Sequence, residues 1–383
     1  MNHGASRAHR EPHNPTASCG LWVRTVDTAA VATANRRIDP VSHHSKTAGR
    51  PTPAPSLPDR VRATRFWQWL PTTIDKRVRV VAWLSFAFQL VLIGTGGAVR
   101  LTASGLGCPT WPRCTDDSFV NTPEMGIHGF IEFGNRLLTF VLAAIVIAAF
   151  LAVIRMRRQR PDLFRLTLLQ GLSIPAQAVL GGITVLTGLN PYVVGLHFVI
   201  SIVLVALATM LVHRVYRGPR GAVKVMPGWY LGVVHLTSLF VAVTVVFGIL
   251  TTGSGPHAGD NSKEVPAPRN GFDPEFLQHL HSWPAYATLA GTIVLLVGAI
   301  ALGARRGSRG VRTAVSTLLA VEVVQIIVGL TQARLGLPEV LVGLHMVLAG
   351  LLVAAMTWVV LQQRIPVRTA SRVDESAFLS VSR

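Results

Sequence analysis

The chain has 383 residues, 50% of them hydrophobic and only 14% charged, with a mean hydropathy of +0.45. This composition excludes an ordinary soluble globule and reads as a polytopic all-α membrane protein. The net charge of +18 does not point to nucleic acid, because the basic residues lie in the N-terminal tail and in short loops between apolar runs, where they set topology.

Residues 1–75 are rich in Pro, Ser, Thr, Ala, Arg and His and carry no helical apolar stripe. They read as a disordered cytoplasmic tail. The Arg-rich, acid-poor composition fits a mitochondrial transit peptide equally, and so does a start codon assigned too early. Eight apolar runs follow, at about 78–99, 127–154, 166–187, 192–213, 229–250, 276–303, 313–333 and 339–361, each near the ~20 residues that span a bilayer. Residues 76–214 are expected to form one four-helix bundle and 229–361 a second. A cytoplasmic linker (215–228) would join them, and a cytoplasmic tail (362–383) would follow.

Loop charge orients the spans. Arg155, Arg157, Arg158 and Arg160 follow the second run, and Arg214, Arg217, Arg220 and Lys224 the fourth. Arg305, Arg306 and Arg309 follow the sixth, and Arg364, Arg368 and Arg372 the eighth. The opposite loops, 100–126 and 251–275, hold Asp116, Asp117, Glu124, Asp260, Glu264 and Asp273. Both termini are therefore expected inside a plasma membrane.

The second half repeats the first. Gln177–Gly181 aligns with Gln325–Gly329, Gly188-Leu189 with Gly336-Leu337, and Gly195-Leu196-His197 with Gly343-Leu344-His345, all at one offset of 148 residues. Each copy holds four spans, an even number, so both enter the membrane in the same direction. Their pseudo-two-fold axis should run along the membrane normal, unlike the inverted repeats of many transporters.

Ionisable residues inside a bilayer are costly and usually functional. His197 and His345 recur at the same repeat position, and His281 lies at comparable depth in the sixth run, ~8–9 Å from the outer end at 1.5 Å per residue. Two such histidines on neighbouring helices suit a metal or heme. His279, two residues from His281, is the fallback, while His213 and His235 have no repeat equivalents and read as structural. Aligning Phe130 with Phe276 puts Glu132 on Gln278, Asn135 on His281 and Arg136 on Ser282. Glu132 is the one acid placed inside a span. It reads as a functional carboxyl or as the i,i+4 partner of Arg136. Arg100, at the membrane edge, suits a ligand carboxylate or snorkelling to the headgroups. The glycines Gly94, Gly96 and Gly97 permit close approach to a flat ligand. Cys108 and Cys114 share an outward loop, where either a disulfide or two free thiols fit.

The outer loop Ser104–Cys114, the helix start Ile131–Arg136, the two Gly-Leu-His helices and Ser254–Asp260, in this order and topology, together resemble the heme A synthase family, with an actinobacterial flavour from the Arg-rich tail. The resemblance covers about 78–361. It implies two four-helix bundles related by a pseudo-two-fold axis. It also implies oxidation of the C8 methyl of heme O to a formyl group, giving heme A for terminal oxidases, by water-derived hydroxylation and then dehydration. By the same resemblance His281 and His345 hold a heme b cofactor, while His197 ligates the substrate heme O beside the essential acid Glu132. Arg100 and Arg136 would stand at the heme carboxylates. A heme O synthase and oxidase assembly factors are the implied protein partners. One position departs from the family pattern: Asn135 stands where many members carry a second histidine. Either His197 is the sole protein ligand of the substrate or His128 substitutes, and the first is preferred. The competing functions are a di-heme electron-transfer cytochrome, which would want two matched histidine pairs, and a transporter, which would want polar residues at the midplane.

Overall fold

The computed structural model describes residues 63–219, 223–260, 266–303 and 308–365. The tail up to residue 62, Cys19, Arg220, Glu264, Arg305, Arg306, Arg368 and Arg372 lie outside the described residues.

A short helix, α1 (Arg65–Trp69), precedes eight long ones: α2 (Lys76–Leu101), α3 (Gly126–Ile154), α4 (Pro161–Leu186), α5 (Pro191–Arg217), α6 (Gly228–Ser254), α7 (Pro274–Ala301), α8 (Ser308–Arg334) and α9 (Glu339–Gln362). All eight are long and apolar enough to cross a membrane, as the apolar runs predict. The chain is a multi-pass membrane protein. α4 and α8 begin about five residues before their apolar runs. Pro161 opens α4, where a missing N–H costs nothing because first-turn donors have no helical partner. These first turns are polar, so hydropathy alone does not see them.

In each half, successive helices pack on one another and the last closes on the first: α5 on α2, and α9 on α6. The halves meet where α5 abuts α9, with α9 also on α2 and α5 also on α6. This is the pairing that a pseudo-two-fold relation requires. The repeat glycines sit at the crossings. A Cβ on Gly343 would meet Leu101 of α2, and one on the equivalent Gly195 would meet Ile249 of α6. Gly94 and Gly97 likewise face Val347 and Met346 of α9. Gly94 and Gly97 thus serve helix packing between the halves, as small residues do in membranes, whereas a Cβ on Gly96 would meet nothing within 4 Å.

Backbone detail also repeats. Leu189 and Leu337 both have positive φ, 62° and 63°. Their N–H groups donate to the carbonyls of Thr184 and Gln332 at 2.8 Å each. A left-handed Leu is uncommon, and finding it twice at the repeat offset marks one helix-ending device used in both copies.

Hydrogen bonds tie the loops on each side. Arg155, after the second span, donates to the carbonyls of Trp67, Gln68 and Leu70, before the first. β1 (Val223–Lys224), in the linker, pairs antiparallel with β2 (Arg364–Ile365), just past the last span. On the other face the Gly105 N–H donates to the Gly259 carbonyl at 2.8 Å. The expectation of a disordered segment over 1–75 is corrected at its described edge, and the linker and C-terminal segment gain structure that the sequence reading did not assign. α1 forms with Thr64 as N-cap, Leu70 is buried, and the linker and C-terminal segment form a two-stranded sheet.

Candidate functional site

In the second half, α7 and α9 bring His281 and His345 together with ring centroids 6.2 Å apart and planes at 74°. Each lies six or seven residues into its helix, about 9–10 Å along the axis. Two imidazoles on one metal ion, with bonds of about 2 Å and ring centres about 1 Å beyond the nitrogens, would have centroids about 6 Å apart. The spacing therefore fits a single iron between the rings. The Thr244 carbonyl lies 2.9 Å from His281 Nδ1. A carbonyl only accepts, so Nδ1 carries the proton and Nε2 keeps its lone pair for a metal. His345 Nδ1 has no protein partner among the described residues. Glycines flank both rings. A Cβ on Gly248 would lie 2.9 Å from His281 Cε1, and one on Gly329 would lie 3.0 Å from His345 Cε1. Gln325 steadies the second ligand by donating Nε2 to the His345 carbonyl at 3.2 Å. The fallback His279 is exposed on the outside of α7.

The first half copies this arrangement up to a point. Gln177 donates to the His197 carbonyl at 3.2 Å and to the Ser201 hydroxyl at 2.9 Å. Gly181 lies against the His197 ring, as Gly329 lies against His345. Opposite, the copy breaks. Asn135 Oδ1 accepts from the Thr95 hydroxyl at 2.8 Å. His128 is exposed and sits 2.9 Å from Ser104 Oγ.

Glu132, 5% exposed, has both oxygens engaged. Oε1 accepts from Arg136 Nη2 at 2.6 Å and Nε at 3.2 Å. Oε2 accepts from the Cys108 N–H at 2.6 Å. Arg136 then donates to the carbonyls of Cys108, Thr110 and Arg113 at 3.1–3.3 Å. The two readings of Glu132 thus meet: it pairs with Arg136, and together they hold the outer loop. That loop is closed by a Cys108–Cys114 disulfide with both cysteines fully buried. Gly107 lies against the His128 carbonyl, and Trp111 lies on the backbone of α4 at Gly182, where a Cβ would strike its ring. The loop therefore covers that end of the first bundle, one residue from the glycine that faces His197.

Arg100 braces the two halves. Its Nε donates to the His257 carbonyl at 2.8 Å and Nη2 to that of Thr252 at 3.0 Å.

One buried acid escapes the sequence reading. Glu322, in the middle of α8, is 4% exposed and accepts from the Thr292 hydroxyl at 2.8 Å. The expectation that Glu132 is the one acid inside a span is corrected. The signal is present, a lone Glu among Ala320, Val321, Val323 and Val324, but it falls outside the outer-leaflet band in which the histidines cluster.

The model of the COX15-CtaA family, cytochrome oxidase assembly protein, matches residues 79–357. The chain is 32% identical over 175 residues to the heme A synthase of Bacillus pumilus, covering 44% of this chain and 55% of that one. It is 28% identical over 152 residues to that of Geobacillus kaustophilus, covering 40% and 47%, and 28% identical over 148 residues to that of Listeria welshimeri, covering 38% and 48%. The matched stretch spans about half the length of these curated relatives. Because the family match runs from the first span into the eighth, the chain belongs to the COX15-CtaA family of cytochrome oxidase assembly proteins.

Proposed function

We propose that this protein converts heme O to heme A by oxidising the C8 methyl to a formyl group. Substrate heme would bind in the first bundle and a heme b cofactor in the second. The observation that carries this reading is the asymmetry of the two sites. The second brings two imidazoles to the spacing of one iron, with a glycine against each ring. The first keeps one histidine, replaces the other by an Asn held by Thr95, and adds a buried carboxyl, an Arg and a disulfide-closed loop. A site with two protein ligands suits a held redox group, and a site with one suits a molecule that arrives and leaves.

Heme b, when bound between His281 and His345, supplies a one-electron carrier. His197 orients the substrate by its iron. Converting a methyl to a formyl group adds one oxygen from water and releases electrons and protons in equal number. Glu132 is the buried group at hand to steady positive charge developing at the methyl carbon or to accept a proton from the attacking water. It also fixes the Cys108–Cys114 loop that excludes bulk water from the bundle end. Arg100, at the junction of the halves, would serve a heme carboxylate, whereas the donors of Arg136 are committed to Glu132 and the loop. The relatives' heme A synthase activity and the chain's own spans support a plasma-membrane location. A heme O synthase and oxidase assembly factors are the partners this activity would require.

The test is to express the chain with and without a heme O-producing enzyme and extract the hemes. Heme A should appear only with that enzyme. Heme b alone in both cultures would instead support a di-heme electron carrier. Glu132→Gln should leave second-bundle heme b nearly unchanged and abolish heme A, with heme O or a hydroxylated heme accumulating. Wild-type heme A output from this variant would reduce Glu132 to a loop anchor.

A further inference from the structure

Glu322 is a buried carboxyl that the function above does not use. Its Oε1 accepts from Thr292, and its Oε2 has no protein partner among the described residues. α8 packs on α7 and α9. Besides Thr292, α7 carries Glu275 in its first turn, His279 and Tyr286, all exposed, and His281. α9 carries His345, and Glu339 exposed in its first turn. Across the bundle, α6 contributes Tyr230, whose hydroxyl donates to the Leu295 carbonyl at 2.8 Å, and the exposed His235. None of α6, α7 and α9 contains a Lys or Arg. On α8 itself Arg309, Arg312 and Arg334 lie about three turns away or more.

A buried carboxylate is held as an anion by a cation or by full hydrogen bonding, and Glu322 has neither from side chains. Without them it is neutral, and the positive charge this bundle would gain is that of an iron held between His281 and His345. Gln325, one turn along α8 from Glu322, donates to the His345 carbonyl. At the repeat offset the first half has Ile174 in place of Glu322, so this acid belongs to the bundle with the two facing histidines alone.

We propose that Glu322 is the proton-accepting group coupled to the redox change at the His281–His345 site: it takes up one proton when the iron held there is reduced. The inference rests on the bis-histidine heme reading. One electron, from substrate oxidation in the first bundle, turns ferric iron to ferrous. One proton, from water, forms an O–H bond at Glu322 Oε2. The positive charge lost at the iron is thereby matched by the negative charge lost at the carboxyl, and the apolar bundle keeps its net charge.

The test uses the full-length protein, purified with its heme, in potentiometric titrations of the low-spin absorbance at a series of pH values. In wild type the midpoint should fall as pH rises, approaching 59 mV per tenfold change in proton concentration for one electron. Glu322→Gln should lose at least half of that slope, leaving only the share of the heme's own carboxylates, while Glu322→Asp should retain it. Redox infrared difference spectra should show a protonated carboxyl gained on reduction in wild type and absent in Glu322→Gln. If Glu322→Gln fails to insert, Thr292→Val serves: loss of the Oε1 donor should shift the pH window of the slope, and an unshifted window would overturn the proposal. A wild-type slope in Glu322→Gln, or a pH-independent midpoint in wild type, overturns the role of Glu322 alone. Absence of any low-spin bis-histidine signal in wild type overturns the heme reading beneath it.

Discussion

His279 and His281 sit two positions apart on α7, about 200° around the helix, so one faces out and one faces His345. Replacing His281 or His345 by Ala should therefore remove the low-spin heme signal while the protein still inserts, and His279→Ala should leave it intact. Retention in His281→Ala with loss in His279→Ala would reverse the assignment. Gly248 offers a finer test. Ala in place of a helical Gly is favoured by roughly 1 kcal/mol of helix propensity, so Gly248→Ala should not weaken α6. Its Cβ would nevertheless lie 2.9 Å from His281 Cε1, and on the proposed reading the ring, held by iron as well as by Thr244, would have no freedom to retreat. We expect unchanged or higher thermal stability with severalfold lower heme retention. Equal heme content would show that the ring is not held as described. His345 was legible in the sequence because the repeat marks it twice, with His197, and His281 because it lies at comparable depth on a neighbouring helix. The role of Gly248 was not, because it depends on which ring crosses the helix at that point, and Glu322 was passed over although its charge stands alone in an apolar run.

At the scale of elements, the outer loop is held by chemistry that the sequence shows only in part. Cys108, Cys114, Glu132 and Arg136 each stood out as residues. That Glu132 accepts from the Cys108 N–H and that Arg136 gathers the carbonyls of the same loop follows from tertiary placement, which periodicity does not encode. Both cysteines are fully buried on the face expected to be oxidising. Alkylation in intact cells should therefore be blocked until a reductant is added, and free reaction without reductant would show the pair to be open. Arg136→Ala should be worse than loss of a surface ion pair, because it strands a buried carboxylate, a change that typically costs about 3–5 kcal/mol. We expect it to expose the cysteines to reductant at markedly lower concentration, while Arg113→Ala, at the exposed rim, should not. The span boundaries were legible within a few residues except at the polar first turns of α4 and α8, where helix capping rather than hydropathy decides.

For the whole molecule, the repeat and the charge pattern make one joint claim about sidedness, and the hydrogen bonds between loops support it independently of charge. Segments before the first span and after the second are joined by Arg155. Those after the fourth and eighth are joined by the β1–β2 pair. Those after the first and fifth are joined by the Gly105–Gly259 bond. Each pair must lie on one face, so eight spans can thread only by alternation. The charge rule would then put the basic loops inside, since Lys and Arg within short loops resist translocation. Reporter fusions after residues 158, 218 and 308 should therefore report the cytoplasm, and fusions at 118 and 258 the exterior. A uniform reversal of all five sites would mean that the charge rule chose the wrong face, and the two-bundle architecture would survive it. A single reversed site among the five would do more damage. At residue 218 it would leave an odd number of spans in the first half, and His197 and His345 would then lie in opposite leaflets. The matched depth on which the heme reading depends would be lost.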